Sequence, residues 1–128
     1  MKATLKVTTI ATLAVAIATA AVATHAAPPI PPTKTPAKPV IIKSGKSFEK
    51  CVVLNAAQTL EYDFNSSAKI NFNLHYRKGD AIYYPVKEDR VNRIDSSYEA
   101  SVREEFCLGW ENKTNADVEV SYSYRVRK

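Results

Sequence analysis

The chain has 128 residues, which is enough for one small folded domain but not for two of ordinary size. It contains 18 Lys and Arg against 13 Asp and Glu, and its formal net charge is +5. Because this excess is mild and both signs are mixed along the chain, the composition argues against nucleic acid as a partner.

The first 26 residues have the pattern of a secretory signal peptide. Lys2 and Lys6 precede an apolar stretch, residues 7–23, and Thr24-His25-Ala26 places small residues at the −3 and −1 positions for cleavage after Ala26. An uncleaved membrane anchor is the less favoured alternative, because the stretch is short and interrupted by threonines. We expect a periplasmic or secreted protein, with a bacterial signal favoured, and no membrane span after cleavage.

Residues 27–43 are predicted to form an extended spacer. All but one of the seven prolines fall in the stretch APPIPPTKTPAKPV, residues 27–40. Proline at this density removes backbone donors and favours a polyproline II conformation. We therefore place the folded domain at residues 44–128, and a proline-rich ligand for another domain is the less favoured interpretation of the spacer.

From Ile41 onward, apolar and polar residues alternate with a period of two, which is typical of half-buried antiparallel strands. The clearest strands are 59–65, 69–76 and 116–126, and shorter candidates are 48–54, 81–86, 98–102 and 105–110. Polar turns are predicted at 65–67, 77–80 and 111–115, and a crossover loop or short helical turn at 87–97. The fold class is therefore all-β, a small antiparallel β-sandwich of about seven strands with one disulfide.

Cys51 and Cys107 are the two cysteines of the chain, and both lie in the part predicted to be exported. An oxidising compartment favours one disulfide between them, which would stabilise the domain by about 4 kcal/mol on the chain-entropy model. Two free thiols are the alternative. Two cysteines and one histidine at distant positions lack the spacing of a metal site, so we expect no metal and no other cofactor.

His75 lies in INFNLHYRKGDAIYYPV, residues 70–86, and is the only histidine outside the first 26 residues. The alternation places it on a polar strand face with Asn71 and Asn73. We interpret it as a solvent-facing or hydrogen-bonded strand residue, since no nucleophile or base lies near it in sequence. Cys107 as a nucleophile is disfavoured by the available disulfide partner, and we expect no enzyme activity.

Two adjacent tyrosines, Tyr83 and Tyr84, precede Pro85 in a predicted strand. One of them must face away from the core, and exposed tyrosines are enriched where proteins bind partners. Trp110, which ends a predicted strand, is expected in the core. The candidate binding face predicted from sequence consists of five residues: Asn71, Asn73, His75, Tyr83 and Tyr84.

The stretches around the cysteines are FEKCVVLNAAQTLEYDFNSSAKINFNLHY, residues 48–76, and EFCLGWENKTNADVEVSYSYRV, residues 105–126. They resemble the GOLD-like lumenal β-sandwich of the emp24/p24 family, in which Cys51 matches an early strand cysteine and Cys107 with Asn112 matches a late stretch before the final strand. The resemblance implies a disulfide-tied sandwich that works by protein contact and has no catalytic residues. No membrane span and no sorting tail follow the domain, so a cargo-receptor role is not carried over.

These features together predict an exported, non-enzymatic binding module that contacts a protein or a component of the cell envelope. The alternative is an inhibitor of a secreted hydrolase, such as lysozyme or a protease, on the same disulfide-tied scaffold. An inhibition assay separates the two, because a β-sandwich by itself fixes no function.

Overall fold

The computed structural model describes residues 14–21, 34–35 and 37–128. The strands are β1 Lys38–Ile42, β2 Ser47–Leu54, β3 Thr59–Lys78, β4 Ala81–Glu99, β5 Glu104–Glu111 and β6 Val118–Arg127. Residues 14–21 have no regular secondary structure, and the predicted cleavage site after Ala26 lies outside the described residues. Within the described ranges, no helix is long and apolar enough to cross a membrane.

The strands form one antiparallel sheet that folds over into two layers. The strand order is β1-β6-β3-β5-β2, and β4 pairs with β3. Residues 59–66 of β3 pair with β6, whereas residues 71–76 pair with β5, so β3 passes from one layer into the other. The first layer contains β1, β6 and the start of β3; the second layer contains β2, β5 and the end of β3. This architecture confirms the predicted all-β antiparallel sandwich.

The core lies between the two layers and is built from the apolar positions of the alternating pattern. Trp110 of the second layer is 1% exposed, and its ring lies 5.8 Å from Phe64 and 5.0 Å from Tyr122 of the first layer. The other large, fully buried side chains are Leu54, Leu60, Tyr62, Ile70, Phe72, Leu74, Phe106, Leu108, Val118 and Val120. The predicted core position of Trp110 is confirmed.

The strands are fewer and longer than the sequence pattern suggested. The predicted turn at residues 65–67 lies inside β3, where the register with β4 shifts between Asn65 and Ile70, so these polar residues mark a bend in one strand. The loop or helical turn predicted at 87–97 is also wrong, because these residues belong to β4. An edge strand that faces solvent needs little apolar alternation, and charged residues are a common protection for such an edge.

The predicted boundary between spacer and domain is also corrected. Residues 38–42, assigned to the spacer, form β1, with Lys38 opposite Tyr122 of β6. Further upstream, the Thr35 N–H donates to the Tyr124 carbonyl at 2.9 Å, and the Tyr124 N–H donates to the Thr35 hydroxyl at 3.1 Å. Proline is tolerated here because β1 pairs with β6 on one side only, so Pro39 can sit at a sheet edge without its missing donor being needed.

Asn112 joins the end of β1 to the turn between β5 and β6. Its side-chain amide donates to the carbonyls of Ile42 and Ala116 at 2.9 and 2.7 Å, and its side-chain oxygen accepts the Thr114 N–H at 2.9 Å. Asn112-Lys113-Thr114 matches the N-glycosylation pattern. Because this amide is fully buried and already hydrogen-bonded, its role in the folded domain is structural.

An ion pair fastens the segment before β1 to the outside of the first layer. The Lys34 ammonium lies 2.6 Å from Asp63, and the Ser123 hydroxyl also donates to this carboxylate at 2.8 Å. Burial alone would raise the pKa of Asp63, but the hydrogen bonds from Lys34 and Ser123 outweigh it and hold the pKa below its ordinary value. The hydrogen bond to Asp63 raises the pKa of Lys34.

These pKa directions give the pH range in which the pair holds the segment. A carboxyl group whose pKa is lowered in the folded state stabilises that state fully at pH values above the ordinary pKa of aspartate, about 3.9. This stabilisation is lost as the pH falls through the folded-state pKa. Because the pKa of Lys34 is raised, its charge stabilises the folded state fully below the ordinary lysine value of 10.5, and this stabilisation is lost as the pH rises through the folded-state pKa. The pair should therefore be intact from about pH 4 to about pH 10.

Replacing Asp63 with asparagine should release this segment and speed tryptic cleavage after Lys34. A partly exposed pair contributes at most about 1 kcal/mol, so we expect an increase of about two- to fivefold at neutral pH. The measurement is the initial cleavage rate followed by mass spectrometry. Asp89→Asn, in the β4 edge strand, is the matched control. Equal rates in the two variants would show that the ion pair does not hold the segment.

Candidate functional site

The outer face of the second layer gathers side chains from three neighbouring strands. In the register, Cys51 of β2 lies opposite Cys107 of β5, which in turn lies opposite His75 of β3. Side chains two residues apart on a strand share a face, so Glu49 and Asn73 project on the same side as these three. The predicted Cys51–Cys107 disulfide is confirmed and lies at the centre of this face.

His75 is buried on this outer face. The residue is 4% exposed; Nδ1 lies 2.7 Å from Asn73 Oδ1, and Nε2 lies 3.4 Å from Glu49 Oε1. The ring of Tyr84, from β4, lies 5.7 Å from the imidazole. Of the two interpretations offered from sequence, the hydrogen-bonded one holds and the solvent-facing one is wrong, because neighbouring side chains cover an outward-pointing residue.

Gly109 of β5 leaves the space that Asn73 occupies. A Cβ at Gly109 would lie 2.9 Å from Asn73 Oδ1, closer than real Cβ contacts come. The Asn73 amide therefore lies over the bare backbone of β5 and is held where its oxygen can accept a hydrogen bond. With that oxygen as acceptor, Nδ1 of His75 donates the hydrogen bond, and Nε2 faces the carboxylate of Glu49.

A small polar pocket opens beside these residues. It has a volume of about 170 Å³, and its lining includes Glu49, Asn73, His75, Arg77 and Tyr84. We call it the His75 pocket. Pockets for whole small-molecule ligands usually measure about 300–1,000 Å³, so this one is suited to a single side chain or a small polar group.

The structure brings together only part of the predicted binding face. Asn73, His75 and Tyr84 meet at the His75 pocket. Asn71 instead accepts a hydrogen bond of 3.0 Å from the backbone of Arg90, which has a positive φ of 58° at an irregularity in β4. Tyr83 points to the opposite side from Tyr84, as adjacent strand residues do, and its ring stacks on Tyr76 at 5.0 Å.

The residues that line the His75 pocket and were missed by the sequence interpretation include Glu49, Arg77 and Gly109. Glu49 precedes Cys51 by two residues, so its position on the disulfide's face follows from strand period alone. Its approach to His75 depends on β5 lying between β2 and β3, and no local pattern contains that order. Gly109 looks like an ordinary strand glycine until Asn73 is placed over it.

An exposed apolar patch lies at the end of the β3–β4 hairpin. Ile82, Tyr83 and Tyr84 are 41%, 46% and 50% exposed, and we call them the hairpin patch. The Lys87 ammonium lies 5.8 Å from the ring of Tyr84. The predicted hairpin turn before the patch is confirmed, with Gly79 at a φ of +60°.

A larger groove of about 410 Å³ lies at the open edge of the sandwich, between β1 and β2. It is lined by Tyr122, Tyr124, Lys50 and residues of the segment around β1. The Lys50 ammonium lies 5.9 Å from the Tyr124 ring. None of the residues predicted to bind lies in this groove, and it lacks the buried histidine and paired acceptors of the His75 pocket.

The disulfide also has potential metal ligands beside it. Donor atoms of Glu49, Cys51 and Cys107 all lie within 4.8 Å of one another. While the sulfurs are bonded to each other they supply no thiolate ligands. The sequence argument against a metal site concerned Cys51, Cys107 and His75, and His75 is not one of the three residues whose donor atoms meet within this distance.

No protein-family model and no curated protein matches this chain. Its fold is similar to that of a mitogen from Yersinia pseudotuberculosis, with a TM-score of 0.54 and 13% identity over 77% of this chain and 89% of the mitogen. A weaker likeness is to PliG of Aeromonas hydrophila, a periplasmic inhibitor of g-type lysozyme, with a TM-score of 0.47 and 12% identity over 72% of this chain and 86% of the inhibitor. Another is to a de novo designed double-stranded β-helix, with a TM-score of 0.45 and 12% identity over 71% of this chain and 100% of the designed protein. At such identities the similarity to the mitogen establishes the fold alone.

Proposed function

We propose that this chain is an exported, non-enzymatic binding module that contacts a protein or a cell-envelope component through the hairpin patch and the adjoining His75 pocket. The observation that carries the proposal is the exposure of three consecutive residues at the end of one hairpin, Ile82, Tyr83 and Tyr84, with Tyr83 on the opposite face of the strand from Tyr84. Exposed aromatic and apolar side chains concentrated at one place on the surface, beside polar groups, are typical of protein-binding sites.

The hairpin patch is also held in place before any partner arrives. Tyr83 stacks on Tyr76, and Tyr76 in turn packs 5.0 Å from the buried ring of Phe106. Tyr84 lies against His75, which is itself fixed by Asn73. Side chains that are already ordered lose little conformational entropy on binding, which favours affinity.

Two observations support the non-enzymatic and exported parts of the proposal. Both ring nitrogens of His75 face side chains of this site, and the two sulfurs nearest to it are joined in a disulfide, so no thiol nucleophile stands beside this histidine. A disulfide persists in an oxidising compartment, in agreement with the signal-peptide pattern of residues 1–26.

The second candidate is inhibition of a secreted hydrolase, and the shape of the hairpin favours it. Pairing between β3 and β5 ends at Tyr76, whereas pairing between β3 and β4 continues through Arg77 and Lys78. The tip of the hairpin is therefore held by β3–β4 pairing and not by pairing with β5, and a hairpin tip of this kind suits entry into an active-site cleft. Lysozyme and protease inhibition assays test this directly.

Tyr84→Ala should weaken partner binding by about thirtyfold or more, as loss of an aromatic hot spot does. The partner is captured from envelope extract on immobilised protein, identified, and its Kd measured against the wild type and the variants. Ile41→Ala, which removes an exposed apolar side chain on β1, is the matched control. Equal affinity of the two variants would exclude the hairpin patch. His75→Ala is a poor first probe because it empties a buried, hydrogen-bonded position.

A further inference from the structure

Two lysines occupy inward-facing positions at the open edge of the sandwich. Lys50 of β2 lies opposite Leu108, which is 1% exposed, and Lys38 of β1 lies opposite Tyr122, which is 5% exposed. Directly opposed residues of an antiparallel pair project on the same face of the sheet, so both lysine side chains point toward the side of the core. The neighbouring inward positions of both strands are apolar and pack on the core, as the alternation requires.

Both lysines line the groove of about 410 Å³ between β1 and β2, which we call the lysine groove. The rings of Tyr122 and Tyr124 line it as well, and the Lys50 ammonium lies 5.9 Å from the centre of the Tyr124 ring. Unlike the His75 pocket, this groove has the volume of an ordinary small-molecule site. A ligand in it would meet aromatic surface and two cationic groups.

No carboxylate of the described residues pairs with either lysine. None of the described residues that line the lysine groove is acidic, and neither ammonium takes part in an ion pair with them. The stretch upstream of β1 cannot supply a carboxylate, because the first acidic residue of the chain is Glu49. Glu49 itself lines the His75 pocket, on the other side of β2. An anion in the groove would therefore be attracted by both lysines without competition from a neighbouring acid.

Lysines at these positions also have a simpler use. An inward-pointing charge on an edge strand hinders pairing with another chain, and a lysine stem covers apolar surface. Such protection requires no cavity, however. Here two separate edge strands bring their lysines to one groove with an aromatic lining, and this convergence is what a binding site needs.

We propose that the lysine groove binds a small carboxylate that carries a six-membered ring. Lys38 and Lys50 bind as point charges, and a carboxylate offers one oxygen to each of them in charge-assisted hydrogen bonds. The ring of the ligand packs against Tyr122 and Tyr124. Two sources share this chemistry, an acidic sugar with a pyranose ring and an aromatic acid. No residue of the hairpin patch lines this groove, so the inference does not depend on the proposed partner binding.

The test titrates the protein, with its disulfide intact, with glucuronate and with benzoate and follows the backbone amides by NMR. We expect a Kd of about 1 mM for a ligand of this size, with shifts concentrated in β1, β2 and the end of β6. Glucose and benzyl alcohol, which have the same rings without the charge, should bind at least about tenfold more weakly.

The two probes also distinguish the two sources of the ligand. Binding of glucuronate alone supports an acidic sugar, binding of benzoate alone supports an aromatic acid, and binding of both supports the shared chemistry. If neither acid shifts the amides of the groove at about ten times the expected Kd, the proposal is overturned.

Variants separate a built site from general attraction to a basic protein. Lys38→Met and Lys50→Met remove a charge but keep a long apolar side chain, and each should weaken binding of the acid about tenfold or more. Lys46→Met, in the turn before β2 and outside the groove lining, removes the same charge and is the matched control. Equal affinities in all three variants would contradict the proposed site.

A last comparison separates ligand binding from protection of the edge. Loss of an inward charge would allow β1 or β2 to pair with another copy of the chain, which gel filtration detects. Lys50→Arg keeps the charge, so it should stay monomeric to the same extent as wild type and bind the acid within about threefold of it. Association of the methionine variants with unchanged affinity for the acid would mean that the lysines only protect the edge, and would overturn the proposal.

Discussion

Replacing both Cys51 and Cys107 with serine should lower the free energy of unfolding by about 4 kcal/mol. The disulfide joins residues separated by 56 positions, and the chain between them contains β3 and β4. It ties β2, which pairs with β5 alone, to the rest of the second layer. Removing it frees a long loop in the unfolded state and leaves this edge strand held by its hydrogen bonds and packing.

The measurement is urea denaturation followed by far-UV circular dichroism. Reduced wild type should unfold at the same urea concentration as the double variant. Val53→Ala, which changes an exposed side chain of β2, should stay within about 0.5 kcal/mol of wild type. A loss below about 1 kcal/mol in the double variant would mean that the bridge contributes little to this domain.

Trp110→Ala should lower the free energy of unfolding by about 3–5 kcal/mol, as truncation of a buried aromatic side chain does. Trp110 packs against Phe48, Phe64, Phe72 and Tyr122, with ring centroids 5.0–5.9 Å away. Its contacts join the two layers, so the cavity would lie in the middle of the core. The strands on both sides of the ring are held by pairing with their neighbours, so they cannot move together to close the cavity.

Circular dichroism is again the measurement, because the variant has lost its fluorescent side chain. Trp110→Phe is the informative comparison, since the indole Nε1 has no hydrogen-bond partner among the described residues. The smaller ring should lose packing but also remove a buried unsatisfied donor, so it should cost clearly less than alanine. If Trp110→Ala loses less than about 1 kcal/mol, the core does not depend on this ring.

Local features of the sequence predicted much of the fold. The alternation around Phe64, Phe72 and Val120 identified buried strand faces correctly, because side-chain direction in a strand depends only on parity along the chain. The same pattern could not show that residues 59–78 are one strand, since polar residues at its bend resemble a turn. It also missed β1, whose proline content is compatible with an edge strand as well as with a spacer.

The candidate site was predicted less completely than the fold. Of the predicted binding face, Asn73, His75 and Tyr84 meet at one pocket, whereas Asn71 is bonded to the Arg90 backbone and Tyr83 faces the other side. That these residues bind a partner remains a prediction. Nothing in the local sequence shows that His75 is buried, because its cover comes from residues of other strands. The secretory signal and the resemblance to the emp24/p24 family remain predictions.

By itself, the sequence determined the all-β class, the buried side of most strands and the presence of two cysteines able to bridge. Only the tertiary structure decided which strands are neighbours, and therefore that Glu49, His75 and the disulfide share one face. The physical reason is that strand period is a local property of the backbone. Strand order and register instead depend on packing between segments far apart in the chain, and those contacts exist only once the two layers have closed.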